Sequence, residues 1–180
     1  SFYLLINVND LLEAYVDGWT TIGSSHSLVQ TFNLFSDLFS IFVLVGIVYF
    51  LIRRFIVKPK VFKFNSSVKL QPAVAEGGIR QDSLIVGTFI ILHVGSHWLG
   101  TAFHLAEREM TQWSMPTASL IAPYFVGWSG LETGIHVTWW LAMGLIVLFL
   151  PYFPRSKHIH IFLAPMNLAF ENREAKGKLT

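Results

Sequence analysis

The sequence predicts an all-α integral membrane helix bundle, and three observations support that prediction. Of the 180 residues, 53% are hydrophobic and only 13% are charged, whereas a soluble globular domain carries about 25% charged residues. The mean hydropathy of the chain is +0.52. Three apolar segments are each long enough to cross about 30 Å of hydrocarbon as a helix. This composition excludes a disordered chain and a nucleic-acid-binding domain.

The three predicted full spans cover residues 31–52, 83–106 and 134–153. The first is dominated by Phe, Leu, Ile and Val. The third span is expected to end at Pro151 and Pro154, because proline cannot continue a helix. We therefore interpret residues 1–180 as a single transmembrane domain, the membrane half of a larger protein or complex.

Two shorter elements complete the predicted fold. Residues 1–17 have an apolar stripe and an acidic stripe at helical spacing, which predicts a truncated N-terminal helix. We expect this helix to run out into water through Asp10, Glu13 and Asp17; the alternative is a helix lying in the membrane interface. Residues 115–128 are interrupted by prolines and glycine, which predicts a short broken helix that is interfacial or re-entrant.

The positions of the basic residues predict the orientation of the chain. Of its 13 Lys and Arg residues, seven lie between the first and second spans, five follow the third span, and only Arg108 lies on the other side. Cytoplasmic loops carry an excess of Lys and Arg. We therefore predict a multi-pass protein whose basic loop and C-terminus are cytoplasmic.

Histidines inside the predicted spans are the candidate functional residues. His93, His97 and His104 lie on one stripe of the second span, and His136 and Met143 lie almost on one face of the third. Ionisable groups within membrane helices are rare and mark functional sites. Two imidazoles, or an imidazole with a thioether, hold haem iron in membrane helix bundles.

Matching depth selects one pair among these histidines. Because the second and third spans are antiparallel, His104 and His136 both lie near the outer boundary, whereas His97 and Met143 lie about 10 Å deeper. We therefore predict His104 and His136 as axial ligands of haem iron, walled by nearby indole rings. The alternative is that these histidines tie helices together through hydrogen bonds.

Other chemistries fit the sequence less well. The H-E-x-x-H pattern of metal hydrolases is absent from the sequence, and His93 with His97 would need further ligands to hold zinc. A proton path along His93, His97 and His104 would need acidic groups at bilayer depth, and the sequence places none near the middle of a span. The chain has no cysteine, which excludes iron–sulfur clusters within these residues.

The most specific pattern lies near the C-terminus. It consists of Trp139-Trp140, an apolar run, the segment Lys157-His158-Ile159-His160-Ile161, and a following A-P-M-N. This pattern resembles the membrane domain of heterodisulfide-reductase-related iron–sulfur oxidoreductases, which is similar to the gamma subunit of respiratory nitrate reductase. Arg53-Arg54, at the end of the first span, fits the same group.

The resemblance implies a haem b membrane subunit of a prokaryotic inner membrane. Such a subunit holds one or two haems and transfers electrons between a quinone pool and a cytoplasmic iron–sulfur or flavin module. It implies that His160, and also His158, contribute to haem or quinone binding at the cytoplasmic end. The group's W-W-x-H histidine falls at Ala142, which cannot ligate iron. The alternative function is therefore a haem-free anchor that docks a soluble oxidoreductase within a larger complex.

Overall fold

The computed structural model describes residues 2–57, 78–152 and 160–170, and every secondary-structure element in these ranges is helical. This confirms the predicted all-α fold. The α-helices are α1 (Phe2–Tyr15), α2 (Ser27–Ile52), α3 (Gly78–Glu107), α4 (Pro116–Ile121), α5 (Leu131–Tyr152) and α6 (His160–Ala169). A π-helical segment, Arg53–Val57, continues α2, and a 3₁₀ helix, Ala122–Phe125, follows α4.

Three of these helices are long and apolar enough to cross a membrane, as predicted. The membrane-crossing segments are Ser27–Val57 with 31 residues, Gln81–Glu107 with 27 residues, and Leu131–Tyr152 with 22 residues. The third helix continues through Pro151 into its last turn. Since the backbone bonds of a helix are satisfied within the segment, these helices need no polar partner in hydrocarbon.

The acidic side of α1 faces the bundle, which corrects the expectation that this helix runs out into water through Asp10. The side chain of Asp10 is only 14% exposed, and Ile6 is fully buried on the same side. Leu4 and Leu5, on the predicted apolar stripe, are instead exposed. In a membrane the apolar stripe meets lipid, whereas polar groups need partners inside the protein.

Glycines on α3 permit close approach of its two long neighbours. A Cβ atom at Gly87 would lie 2.7 Å from Cδ2 of Leu51 on α2, and one at Gly100 would lie 3.0 Å from Oγ1 of Thr138 on α5. Small residues at such crossings are typical of packed membrane helices. Gly100 therefore brings α3 and α5 together beside the predicted pair of histidines.

The predicted broken element is a short helix, α4, held by a side chain of α2. The Asp37 carboxylate accepts hydrogen bonds from the Thr117 backbone N–H (2.7 Å), the Thr117 hydroxyl (2.7 Å) and the Ala118 backbone N–H (3.2 Å). These two N–H groups belong to the first helical turn, which has no partner within the helix. Pro116 begins the helix, where its fixed φ and missing N–H are tolerated.

Two connections meet at one end of the bundle. The Arg108 guanidinium donates to the Ile22 carbonyl at 2.8 Å, and the Asn33 amide donates to the Thr21 carbonyl at 2.9 Å. These bonds join the α1–α2 connection to the ends of α2 and α3. A buried apolar cluster forms beneath them from Ile22, Ala102, Leu105, Ala106, Met115, Ala118 and Ala122.

The chain divides into two compact units, residues 1–146 and 147–180. The first unit contains α1 to α4 and most of α5. Within the second unit, α6 is a ten-residue helix that presents Leu163, Met166 and Leu168 as exposed apolar side chains.

Candidate functional site

A cavity of about 620 Å³ lies within the first unit, walled by α1, α2, α3 and α5. This volume is within the range of small-molecule and cofactor sites. Its wall contains four indole rings, those of Trp19, Trp98, Trp139 and Trp140. Its acidic, basic and imidazole side chains are those of Asp10, Glu13, Asp37, His97, His104, Arg108 and His136.

The two predicted haem ligands border this same cavity from different helices. His104 lies near the end of α3 and His136 near the start of α5. Nδ1 of His104 is 3.6 Å from the Glu107 carboxylate in the next turn, and both side chains are more than one-third exposed. His136 is exposed. Among the described residues, neither imidazole has a hydrogen bond to a neighbouring helix.

His97 forms an ion pair with Asp10 of α1. Nε2 of His97 lies 3.2 Å from Oδ2 and 3.3 Å from Oδ1 of Asp10, and the two side chains are 15% and 14% exposed. The imidazole packs edge-on against the Tyr3 ring at 6.2 Å between centroids. Nδ1 of His97 is buried and has no hydrogen-bond partner among the residues that the structure describes.

His93 has a different environment, deeper in the protein. Its Nδ1 lies 2.9 Å from the Ala142 backbone carbonyl, and its ring stacks on Phe89 at 5.7 Å. The imidazole is only 5% exposed. A hydrogen bond from one ring nitrogen to a backbone carbonyl is the usual way to fix the orientation of a histidine. His93 thus meets α5 at the position where the resembling group carries a histidine.

Of the other predicted residues, the structure describes the side chain of Met143 but not those of His158 and His160. Met143 is buried within α5, and its neighbour Ala142 contributes to the cavity wall instead. His158 lies outside the described residues. His160 is the first residue of α6, and its side chain is also outside the described part of the chain. The roles predicted for Met143, His158 and His160 stay predictions.

The donor set suits haem iron better than a bare metal ion. Within residues 2–57, 78–152 and 160–170, no group of three or more His, Cys, Asp or Glu side chains is arranged to hold a metal. Haem needs only axial ligands from the protein. His104 and His136 supply two imidazoles from different helices, and indole rings line the same cavity.

Sequence reasoning missed the two carboxylates that shape this site. Asp10 contacts His97 across 87 positions of sequence, and Asp37 contacts Thr117 across 80. One signal was available for Asp10: in a membrane helix with one apolar stripe, the polar stripe is the side that faces the protein. Because Asp10 lies beside His97, an acidic group is present at the depth of that histidine. The sequence-based argument against a proton path, which assumed that none was there, therefore no longer holds.

Comparison with known proteins finds a similarity to a probable oxidoreductase. The chain is 28% identical over 151 residues to the probable iron-sulfur-binding oxidoreductase FadF of Bacillus subtilis. The match covers 82% of this chain but only 19% of that relative, so the chain spans about a fifth of the relative's length. No family model matches the chain, and no solved structure matches it. The narrower resemblance to the nitrate reductase gamma subunit stays a prediction.

Proposed function

We propose that this chain is the haem b-containing membrane domain of a quinone-linked oxidoreductase. It transfers electrons between a quinone pool and a cytoplasmic iron–sulfur or flavin module. One observation carries the proposal: His104 of α3 and His136 of α5 border one cavity, and neither imidazole is bonded to a neighbouring helix in the described structure. The similarity to an iron-sulfur-binding oxidoreductase supports the same class of function.

The residues of the cavity fit a haem group. His104 and His136 would hold the haem through their imidazoles, and the indoles of Trp98, Trp139 and Trp140 line the same cavity. When bound, haem supplies one-electron redox chemistry. The chain's own contribution is to supply ligands, to orient the macrocycle and to exclude water.

The partner and the second site follow from the resemblance. The basic loop and C-terminus face the cytoplasm, where His160 and His158 contribute to a haem or quinone position. The chain has no cysteine, so iron–sulfur clusters belong to a separate subunit or to another part of the protein. Membrane lipid, quinone and this cytoplasmic module are the proposed partners.

A haem-free anchor is the second candidate function. The observation that favours it is Ala142, which stands where the resembling group has a histidine and uses its carbonyl to bind His93. In this alternative the bundle docks a soluble oxidoreductase, and the histidines only stabilise helix packing.

An optical spectrum separates the two candidates. The protein is purified in detergent from cells supplied with a haem precursor, and its dithionite-reduced minus oxidised spectrum is recorded. The haem proposal predicts a sharp α-band typical of haem b with at least one haem per chain. If a folded, helical preparation shows no α-band, the haem proposal is wrong and the result supports the anchor function.

A further inference from the structure

The apolar surface of α6 has no role in the function proposed above. We propose that α6 lies along the membrane–water interface, on the side of the membrane where α5 ends. Its apolar side chains contact lipid acyl chains, and the basic residues that flank it contact anionic lipid headgroups. The inference does not rest on the haem proposal, because a haem-holding subunit and a haem-free anchor could both carry an interfacial helix.

Helix α6 is apolar but too short to cross a bilayer. Its ten residues, HIFLAPMNLA, contain only two polar side chains, those of His160 and Asn167. Ten residues of α-helix are about 15 Å long, whereas the hydrocarbon core is about 30 Å thick. The helix must therefore be covered by protein or lie at the surface of the membrane.

The second unit of the chain does not cover α6 within the residues that the structure describes. Every residue from 163 to 170 is exposed. Leu168 is 69% exposed, and Phe170, whose backbone N–H donates to the Met166 carbonyl at 2.9 Å, is 81% exposed. A contiguous exposed apolar surface marks a site of contact with another protein or with a membrane. The described surface of α6 therefore requires a partner beyond these residues.

The two polar positions of α6 lie on one stripe of the helix. Positions 160 and 167 are seven residues apart, which places them within about 20° of each other around the helix axis. Pro165 and Ala169 lie nearly opposite this stripe. A helix with this pattern can lie in the plane of the interface, with the polar stripe toward water and the opposite side in the acyl chains.

The length of the connection keeps α6 near the bilayer. Helix α5, which is long and apolar enough to cross a membrane, ends at Tyr152, and α6 begins at His160. The eight residue steps from 152 to 160 span at most about 29 Å, even when fully extended. The start of α6 therefore lies no farther than that from the end of a membrane-crossing helix. Lipid is thus within reach of α6 without a second protein.

Basic residues on both sides of α6 favour an anionic lipid surface. Residues 153–180 contain five Lys and Arg residues against two Glu residues. The basic residues are Arg155, Lys157, Arg173, Lys176 and Lys178. The negative surface of the cytoplasmic leaflet attracts Lys and Arg clusters that lie next to a membrane helix. In the topology proposed above this is the cytoplasmic side, so the charge and the apolar surface select the same partner.

A soluble partner protein fits the surface of α6 less well than lipid does. Leu163 and Leu168 are both exposed, and their positions are about 140° apart around the helix. A flat protein surface covers one side of a helix and would leave one of these two leucines in water. Lipid surrounds the embedded part of an interfacial helix and contacts both.

Spin labels on α6 test the inference. The chain has no cysteine, so one introduced cysteine gives one labelled site. Cysteines are introduced singly from residue 163 to residue 170, and each protein is reconstituted in vesicles of phosphatidylcholine and phosphatidylglycerol in a 3:1 ratio. Accessibility to oxygen, which dissolves in lipid, is compared with accessibility to a nickel chelate, which dissolves in water. We expect the oxygen-to-nickel ratio to be at least fivefold higher for Ala169→Cys than for Asn167→Cys.

Two further positions supply the reference values. Val147→Cys replaces an exposed residue of α5 and gives the value for a lipid-facing site, and Asp17→Cys replaces an exposed residue just after α1 and gives the value for water. Low accessibility to both reagents throughout 163–170 would show that protein covers the helix and would overturn the inference. High accessibility to nickel at every position would place the helix in water and would also overturn it.

A measurement on the unmodified chain serves if the cysteine variants do not insert. Wild-type protein is reconstituted with a phospholipid that carries a photoreactive group on its acyl chain, and the labelled peptides are identified after illumination. Labelling of residues 163–170 together with the membrane-crossing helices supports the interfacial placement. Labelling confined to the membrane-crossing helices overturns it.

Lipid charge tests the contribution of the basic residues that flank α6. In vesicles of phosphatidylcholine alone, the oxygen-to-nickel ratio of Ala169→Cys should fall at least twofold, because the attraction to anionic headgroups is lost. An equal ratio in both kinds of vesicle would overturn the anionic-lipid contact. Haem content is measured on the same samples. The expected accessibility pattern in protein without haem would support the interfacial helix while contradicting the haem proposal.

Discussion

The carboxylate of Asp37 and the hydroxyl of Thr117 are joined by a 2.7 Å hydrogen bond that connects a membrane-crossing helix to the short helix α4. The same hydroxyl accepts a 2.8 Å hydrogen bond from the Trp98 indole. Asp37 on α2 and Trp98 on α3 are thus linked through one side chain of α4. Both line the cavity, so the docking of α4 also fixes part of the proposed cofactor site.

Replacement of Asp37 tests this link. Asp37→Asn keeps the size of the side chain but removes the charge that strengthens three hydrogen bonds, and its amide group opposes the backbone donors of α4. We expect a loss of about 2 kcal/mol in stability, measured as a lower thermal midpoint in detergent. Asp17→Asn, an exposed change, should leave the midpoint within error. An unchanged midpoint in Asp37→Asn would contradict the capping role.

Replacement of the two outer histidines tests the haem ligands. His104→Ala and His136→Ala should each remove one haem equivalent per chain, and the double variant should remove no more than one, because both act on one iron. Haem is quantified from the reduced spectrum of purified protein. His26→Ala is the control, since His26 is exposed in the α1–α2 connection.

The same His104 and His136 variants should give a different result if these histidines do not hold haem. If the histidines serve only to tie helices together, each replacement should cost about 0.6 kcal/mol, the average for a hydrogen bond between membrane helices. Haem content would then stay at its wild-type level in both variants, and the proposed ligand pair would be wrong.

The orientation of the chain is tested with reporters of membrane side. A tag placed in the basic loop at Asn65 and a tag at Thr180 should both report the cytoplasm, because twelve of the 13 Lys and Arg residues lie in those two regions. A tag inserted at Trp113, an exposed residue of the α3–α4 connection, should report the opposite side. Either basic region found outside would reverse the proposed topology.

The motif at His158 and His160, which we propose to lie at the cytoplasmic end, requires a separate measurement. If His160 ligates haem or orients a quinone, His160→Ala should abolish quinone-linked turnover while the amount of membrane-inserted protein stays the same. Turnover is followed in isolated membranes, and insertion is measured by immunoblotting of the same membranes. Wild-type turnover would show that the resemblance around His158 and His160 carries no function in this chain.

The elements that the sequence predicted correctly are those determined by local patterns. A run of apolar residues long enough to cross hydrocarbon predicts a helix wherever its neighbours lie, so α2, α3 and α5 could be predicted from length and composition. The helical repeat likewise places His97 and His104 on one stripe, and both line the same cavity.

The features that it did not predict depend on how one helix is rotated against another. The side of α1 that packs against α3 decides whether Asp10 contacts water or His97. The sequence of α1 alone does not predict that α3 is the helix it packs against. The same holds for Asp37, which could equally have faced solvent near the start of its span. These contacts, which span 87 and 80 positions of sequence, place a carboxylate beside His97 and dock α4 against α2.

Reduction of the protein by a quinol is the most direct measurement of the central claim. Oxidised wild-type protein in lipid nanodiscs is mixed with menadiol or duroquinol under anaerobic conditions, and the absorbance of the haem α-band is followed with time. The account predicts that the band appears with quinol, and that it is absent from the His104→Ala, His136→Ala double variant apart from any haem held elsewhere. A wild-type protein whose haem is reduced by dithionite but by neither quinol, or which holds no haem, would contradict it.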